Sequence, residues 1–297
     1  MVEKSFLALV ISVLSVSIAA ILIVSCSAPA LVISLYRMVF TTLLIFFIMV
    51  IKRSYYEELI QLSSKQILLM SIIGIILAVH FTFWITSLKF TSVASSVILV
   101  TAHPIIVGPI SHMVLKERLS LFNMVGILIS FMGVIILVLG NYGFSSSIDT
   151  FSGNVLALLG GIAAGLYILG GRKMRKNISV IPYVFVVYSV ATVVLLVFCL
   201  GTQTSIVDVS IQDLGIIFLM AVIAGIFGHT LYNWSLEKVK ASVASVVLLG
   251  EPIGSAFFAF VIPWIHQVPS YWTIIGGIII LTGVYLTSKK GNTGYLR

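Results

Sequence analysis

Long apolar runs recur along almost the whole chain, and each is long enough to cross a lipid bilayer as one helix. A transmembrane helix needs about 20 apolar residues, because it rises about 1.5 Å per residue through a hydrocarbon core roughly 30 Å thick. Backbone groups inside that core must pair within their own segment, which an α-helix achieves. The sequence therefore predicts an all-α integral membrane protein with ten transmembrane helices, at residues 5–27, 30–51, 66–88, 92–114, 121–140, 153–171, 180–201, 212–236, 241–264 and 271–288.

The composition excludes a soluble globular protein. Only 9% of the residues are charged and 60% are apolar, whereas soluble domains carry about 25% charged residues. A net charge of +8 would suggest a nucleic-acid partner in a soluble protein, but here most basic residues lie in the connections between apolar runs or at the termini. We therefore expect no nucleic-acid partner. The first run lacks a small-residue cleavage site, which predicts a retained span rather than a signal peptide.

The sequence contains no motif typical of an enzyme or a cofactor site. Cys26 and Cys199 lie in separate apolar runs and are interpreted as small packing residues rather than a disulfide. There is no glycine-rich phosphate loop, no zinc-protease motif and no serine-nucleophile motif. We therefore expect no catalytic residues, no cofactor and no metal.

The basic residues predict the orientation in the membrane. Cytoplasmic connections of membrane proteins carry an excess of Lys and Arg. Of the 17 basic residues, all but Lys89 and Arg37 fall in even-numbered connections or at the termini. This pattern predicts that both termini are cytoplasmic in a multi-pass protein of the cell membrane.

The chain repeats itself at an offset of 150 residues. Ser92-Val-Ala-Ser95 recurs as Ser242-Val-Ala-Ser245. Equivalent positions in the two copies also hold Trp84 and Trp234, Gly126 and Gly276, and Gly133 and Gly283. Each copy holds five apolar runs, and an odd number places the second copy in the membrane upside down. We therefore predict two inverted five-helix repeats, residues 1–150 and 151–297, around a central cavity.

A proline follows an ionisable residue in both copies, His103-Pro104 in the fourth span and Glu251-Pro252 in the ninth. Proline interrupts a helix, and an ionisable group at membrane depth is costly unless it has a function. We predict two interrupted helices that bring His103 and Glu251 near the midplane. The hypothesis is that Glu251, with His103, takes part in substrate binding or proton coupling, since both groups can exchange protons. The alternative is that a protonated Glu251 ties its helix to a neighbour.

Two further polar faces are predicted to line the cavity. His80 and Trp84 share one face of the third span, and His229 and Asn233 share one face of the eighth. A surface that faces lipid would not select histidine and asparagine. The alternative for both faces is hydrogen bonding between helices.

Arg37 lies within the second span, eight residues after Pro29. That spacing corresponds to about 12 Å along a helix, in the outer third of the span. Arg37 is predicted either to extend towards the external interface or to pair with a charge or bind an anion.

The chain resembles the EamA group of the drug/metabolite transporter superfamily over essentially its whole length. The resemblance rests on the order and spacing of Pro29 with Arg37, Leu88–Ser92, the His-Pro and Glu-Pro sites, and Leu115–Ser120. The chain departs from the family pattern at His266–Pro269, which lacks the acid expected opposite Glu117. We interpret Glu117 as part of a helix end.

This resemblance implies a small-molecule transporter in contact with membrane lipids, monomeric or weakly dimeric. The resemblance implies alternating access; members mostly move amino acids, related metabolites or toxic organic compounds, often outward, and proton antiport is suspected for many. The resemblance also implies a cavity walled by spans three, four, eight and nine, with substrate contacts at His80, Trp84, His103, His229, Asn233, Glu251 and Arg37. The alternatives are a nucleotide-sugar or lipid-linked carrier, and a non-transporting membrane protein.

Overall fold

The computed structural model describes residues 2–91, 93–142, 148–261 and 270–288, and every regular element in these ranges is helical. The prediction of an all-helical protein is confirmed for this part of the chain. The α-helices are α1 (Val2–Ser17), α2 (Ala19–Val24), α3 (Ala30–Ile51), α4 (Arg53–Ile60), α5 (Ser64–Ser87), α6 (Val93–Thr101), α7 (Pro104–Val114), α8 (Leu121–Tyr142), α9 (Ile148–Arg175), α10 (Val180–Gly201), α11 (Ile211–Met220), α12 (Leu231–Ser235), α13 (Ala241–Val247), α14 (Glu251–Val261) and α15 (Tyr271–Ser288).

The long helices have the length and composition of membrane spans. Within the described ranges, six helical segments are long and apolar enough to cross a bilayer, and four further apolar segments are shorter. The six are Lys4–Val24, Ala30–Ile51, Ser64–Ser87, Phe151–Arg175, Val180–Gly201 and Ile211–Ser235. The four are Leu99–Val114, Leu121–Ile136, Ala241–Ser255 and Ile274–Thr287. All of them coincide with apolar runs of the sequence, which supports the prediction of a multi-pass membrane protein.

The two helices predicted to be interrupted are broken where the sequence indicates. The fourth span divides into α6 and α7, and α7 begins at Pro104. The ninth divides into α13 and α14, joined by a 3₁₀ turn over Leu248–Gly250. Proline has no amide hydrogen and clashes with the preceding helical turn, so each helix restarts at or beside its proline.

The eighth span departs from the regular α-helix that its apolar pattern predicts. Its middle, Ala221–Thr230, is a π-helix between α11 and α12. Thr230 Oγ1 donates to the Gly225 carbonyl oxygen five residues back, at 3.0 Å. A π-helix is rare and occurs most often at functional sites.

Glycines let α8 and α15 pack backbone to backbone. A Cβ on Gly126 would lie 2.7 Å from the carbonyl oxygen of Gly283, and a Cβ on Gly133 would lie 2.9 Å from that of Gly276. These contacts pair an early residue of one helix with a late residue of the other, so the helices run antiparallel. Small residues make such close approach possible in membrane proteins.

Helices α3 and α10 form a second antiparallel pair. The Thr42 and Thr192 hydroxyl oxygens lie 3.3 Å apart, and the rings of Phe46 and Phe185 are 6.3 Å apart. A later residue of α3 therefore contacts an earlier residue of α10, as in an antiparallel pair. The main buried core gathers apolar side chains from both halves of the chain and includes α3 and α10, whereas Ile127, Val134 and Ile280 of α8 and α15 belong to a second, smaller cluster.

Candidate functional site: a buried polar cavity between the two halves

One cavity, with a volume of about 60 Å³, lies where the interrupted helices meet. A buried water requires roughly 10–15 Å³ on this measure, so the space suits a few waters or part of a small solute. Both halves of the chain contribute to its wall, the first with nine residues and the second with seven. The lining residues are Ser12, Val16, Ala19, Arg37, His80, Trp84, Val100, Thr101, His103, Ala164, Tyr167, Ile168, His229, Tyr232, Leu248 and Glu251.

Six of the seven residues predicted to contact substrate border this cavity. The interruption of the fourth span places His103 at the wall, and the 3₁₀ turn places Glu251 there. Arg37 reaches the same space from α3 and is only 1% exposed. The arginine therefore faces the protein interior, and the prediction that it extends to the external interface is wrong.

Arg37 and Glu251 are the two groups of opposite formal charge in the wall. No ion pair within 4.0 Å joins them in the described structure. Arg37 Cζ lies 4.6 Å from the centre of the Phe81 ring, which supports the guanidinium through a cation–π contact. The guanidinium is thus held in place while its terminal nitrogens remain available.

Several polar atoms of the wall have no hydrogen-bond partner among the described residues. They are both terminal nitrogens of Arg37, Trp84 Nε1, His103 Nδ1, the Tyr232 hydroxyl and Glu251 Oε1. An unpaired buried polar atom typically costs about 1–3 kcal/mol, and native proteins contain few of them. Their concentration around one cavity is the arrangement expected of a site that binds a polar solute or water.

Aromatic rings make up one side of the cavity. The rings of His80 and Trp84 stack at 5.9 Å with an interplanar angle of 11°. Phe81 also packs edge-on against His229, with ring centres 5.3 Å apart. His80 Nδ1 donates to the Gly160 carbonyl oxygen at 2.9 Å. That hydrogen bond joins α5 to α9 and fixes the ring. One nitrogen of His80 is therefore used for hydrogen bonding between helices, which was the alternative to a role in the cavity.

Asn233 lies behind the wall rather than at the cavity. Its side-chain nitrogen donates to the hydroxyl of Tyr167, which does line the cavity, and to the His229 carbonyl oxygen at 2.7 Å. Tyr232 and Asn233 lie three and four positions after His229, so both are near its face of the helix. Tyr232 occupies the wall position instead.

The sequence pattern missed the contribution of the first and sixth spans. Ser12 lines the cavity from α1 and donates to the Gly228 carbonyl oxygen at 2.8 Å. Tyr167 lines it from α9, in a stretch rich in small residues. Tyr167 lies three positions before the glycine pair Gly170-Gly171, but its equivalent in the other repeat is Ser17, so the repeat does not mark it.

No group of three or more His, Cys, Asp or Glu residues that could hold a metal ion occurs within the described ranges. The side chains that line the cavity offer hydrogen bonding, charge pairing and aromatic contact.

Comparisons with known proteins agree with this picture. The sequence profile of the EamA-like transporter family matches the chain twice, over residues 4–139 and 151–289. An uncharacterized transporter of Archaeoglobus fulgidus is 25% identical over 71% of this chain and 72% of its own. The uncharacterized transporter YyaM of Bacillus subtilis is 23% identical over 68% of this chain and 66% of its own. Solute carrier family 35 member G1 of Mus musculus is 21% identical over 64% of this chain and 53% of its own.

The fold is also similar to a solved one. A protein crystal structure superposes with a TM-score of 0.78 at 15% identity, covering 96% of each chain. Identity this low indicates a shared fold only. The double profile match spans nearly the whole chain, and on that ground the chain belongs to the EamA-like transporter family of the drug/metabolite transporter superfamily.

Proposed function

We propose that the protein is a secondary transporter that exports a small metabolite, an amino acid or a related compound, by alternating access. The observation that carries the proposal is the buried cavity between the halves, in which Arg37 and Glu251 present unpaired polar atoms without pairing with each other. A solute with both an anionic and a cationic group would satisfy both residues. The proposal places ten spans in the cell membrane, with cytoplasmic termini, lipid contacts and a monomeric or weakly dimeric state.

The inverted repeat of the proposal is supported by contacts between equivalent positions. Ser130 and Ile280 are 150 residues apart and are joined by a hydrogen bond at 3.3 Å, as Thr42 and Thr192 meet through their hydroxyls. A residue can contact its own equivalent only close to a two-fold axis. Because the paired helices run antiparallel, such an axis lies across them and hence in the membrane plane, as in inverted-repeat transporters.

The division into two repeats, 1–150 and 151–297, is supported by the family profile, which matches one segment in each part. In this arrangement the cavity lies at the boundary between the repeats, near mid-membrane. Rocking one half against the other would open the cavity to alternate sides, since substrate sites of such transporters lie at the repeat interface.

The predicted contact residues divide into roles. Arg37 would bind an anionic group through its planar fork of donors, and Glu251 would accept from an ammonium group. Trp84 and His80 would cover an apolar or cationic part of the solute, with His103 and His229 as further polar contacts. Asn233 would act indirectly by fixing the hydroxyl of Tyr167.

Proton coupling is the second part of the proposal. Glu251 has one oxygen without a partner, and His103 lines the same cavity with an unpaired nitrogen. Either group could hold a proton in one state of the cycle and release it in another. The small volume of the cavity favours a small solute over a nucleotide sugar or a lipid-linked cargo.

Counterflow in proteoliposomes tests the transport proposal. Vesicles loaded with a mixture of unlabelled amino acids should accumulate labelled amino acid transiently when they contain the protein. Arg37→Ala and Glu251→Ala should each abolish this accumulation while leaving the protein monodisperse. If no amino acid or related compound exchanges in wild-type vesicles, the proposed substrate class is wrong.

A further inference from the structure

Three walls of the cavity converge at one end of the molecule. Helix α7 begins next to His103 at the cavity and leads to this end, and the last part of α9, after Ile168, leads there too. Helix α13 begins at this end and reaches the cavity at Leu248. The ends of these three helices are joined by polar contacts rather than by apolar packing alone. This end contains the connections between spans four and five, six and seven, and eight and nine, which the sequence predicts to be cytoplasmic.

A buried ion pair lies at that convergence. Arg172 Nε donates to Glu117 Oε1 at 2.6 Å, and the side chains of Arg172 and Glu117 are only 11% and 5% exposed. Glu117 Oε2 accepts from the backbone amide of Ala241 at 2.9 Å, at the first residue of α13. Arg172 Nη1 donates to the carbonyl oxygens of Leu236 and Glu237, at 2.6 and 2.8 Å. One carboxylate and one guanidinium thus connect all three walls.

This ion pair joins the two halves of the chain. Glu117 belongs to the first repeat, whereas Arg172 and Ala241 belong to the second. A neighbouring pair, Arg175 Nη2 with Glu237 Oε2 at 3.3 Å, lies wholly within the second. If one half rocks against the other so that this end opens, the contacts of Glu117 must separate, while the Arg175–Glu237 pair can move as one body.

At the opposite end of the molecule, the positions equivalent to Glu117 and Arg172 carry no charge. At the offset of 150 residues, Glu117 corresponds to Gln267 and Arg172 corresponds to Leu22. Leu22 packs against the main apolar core, and Gln267 lies outside the described residues. The two ends therefore differ in chemistry although the repeats share a pattern.

We infer that Glu117, Arg172 and the amide of Ala241 form a clasp that closes the predicted cytoplasmic end of the cavity by tying the two halves together. This inference rests on the proposed alternating access. Opening at the clasp separates a buried ion pair, which is strongly unfavourable until water reaches both charges. At the other end, among the described residues, Asp213 is 5% exposed and accepts from the Ser27 amide at 3.0 Å and the Ser27 hydroxyl at 2.6 Å across the halves, but no ion pair joins them. The clasp is therefore expected to favour closure at its own end in the absence of substrate.

Accessibility of one introduced thiol tests the clasp. The reporter is Ala164→Cys, which lines the cavity, in a chain whose buried Cys26 and Cys199 are replaced by alanine. A membrane-impermeant maleimide is applied to inside-out and right-side-out vesicles without substrate. Glu117→Gln and Arg172→Gln should raise the labelling rate several-fold from the clasp side only, and Glu117→Ala should raise it further because it also frees the Ala241 amide.

Glu237→Gln is the matched control, because it breaks the neighbouring ion pair without separating the halves. It should label at the parental rate. Arg172→Lys keeps the positive charge but loses the several donors of the guanidinium, so a smaller increase in the labelling rate is expected. This variant remains informative if Arg172→Gln does not fold. Unchanged clasp-side labelling in Glu117→Gln and Arg172→Lys, or an equal increase in Glu237→Gln, would overturn the clasp. Absence of counterflow in wild type would instead refute the transport proposal, since labelling does not require transport.

Discussion

The hydroxyl oxygens of Thr42 and Thr192 lie 3.3 Å apart, across helices α3 and α10, although the residues are separated by 150 positions. The same separation relates Ser130 to Ile280, which are hydrogen-bonded in the α8–α15 pair. Equivalent residues thus meet at two places, once in each antiparallel pair. The cavity lies between halves that these two contacts hold together.

The Thr42–Thr192 contact predicts a disulfide. In a chain whose native cysteines are replaced by alanine, Thr42→Cys with Thr192→Cys should crosslink on mild oxidation, because the two side chains already approach each other. Proteolysis after residue 142 would then give two fragments that stay together until reduced. Thr41→Cys with Thr192→Cys is the control, since Thr41 packs against Gly225 instead. Equal crosslinking in the control pair would contradict the arrangement.

The α8–α15 contact predicts a loss of stability on enlarging its glycines. Gly283→Ala would place a Cβ 2.6 Å from the Gly126 carbonyl oxygen. Overpacking of this kind typically costs about 1–3 kcal/mol, so the thermal unfolding temperature in detergent should fall. Gly215→Ala in α11 is the control, because nothing lies within 4 Å of its Cβ and alanine favours a helix. A similar melting temperature for both variants would argue against backbone-to-backbone packing.

Much of this architecture could be predicted because the sequence carries it in periodic form. Apolar runs indicate spans, and the offset of 150 residues pairs His103-Pro104 with Glu251-Pro252, where the helices are indeed interrupted. Equivalent positions of the two repeats can be compared with each other. That comparison identified most of the cavity residues in the third, fourth, eighth and ninth spans.

Features that depend on phase or on distant contacts could not be predicted. The π-helix over Ala221–Thr230 has no signal in the residue pattern of the span, and neither does the choice of Tyr232 rather than Asn233 as the residue at the cavity. Tyr167 reaches the cavity because of tertiary packing, and the partners of Glu117 lie on other helices. Such contacts arise only when the folded chain brings remote segments together.

Replacing Arg37 by lysine should weaken substrate binding although the positive charge is kept. Lysine keeps the positive charge but lacks the planar fork that binds a carboxylate with two parallel hydrogen bonds. Loss of one charge-assisted hydrogen bond is worth about 1.5–3 kcal/mol. Arg37→Lys should therefore weaken substrate binding about 10- to 100-fold, measured as the half-saturating concentration in counterflow. Arg53→Lys, at an exposed ion pair, should leave it unchanged, and a similar value for Arg37→Lys would contradict the anion-binding role.

The position of Glu251 leads to a prediction about how the transport rate responds to a proton gradient. Glu251 is 8% exposed and lines the cavity, and one of its carboxyl oxygens has no partner in the described structure. If it carries the coupled proton, an imposed pH gradient should accelerate wild-type transport, and Glu251→Gln should transport at a rate that no longer responds to that gradient. The amide keeps the size and hydrogen bonding of the side chain but cannot exchange a proton. Glu57→Gln, which alters an exposed carboxylate paired with Arg53, should respond as wild type does. A full gradient response in Glu251→Gln would remove this residue from proton coupling and leave it as a contact for a cationic group of the substrate.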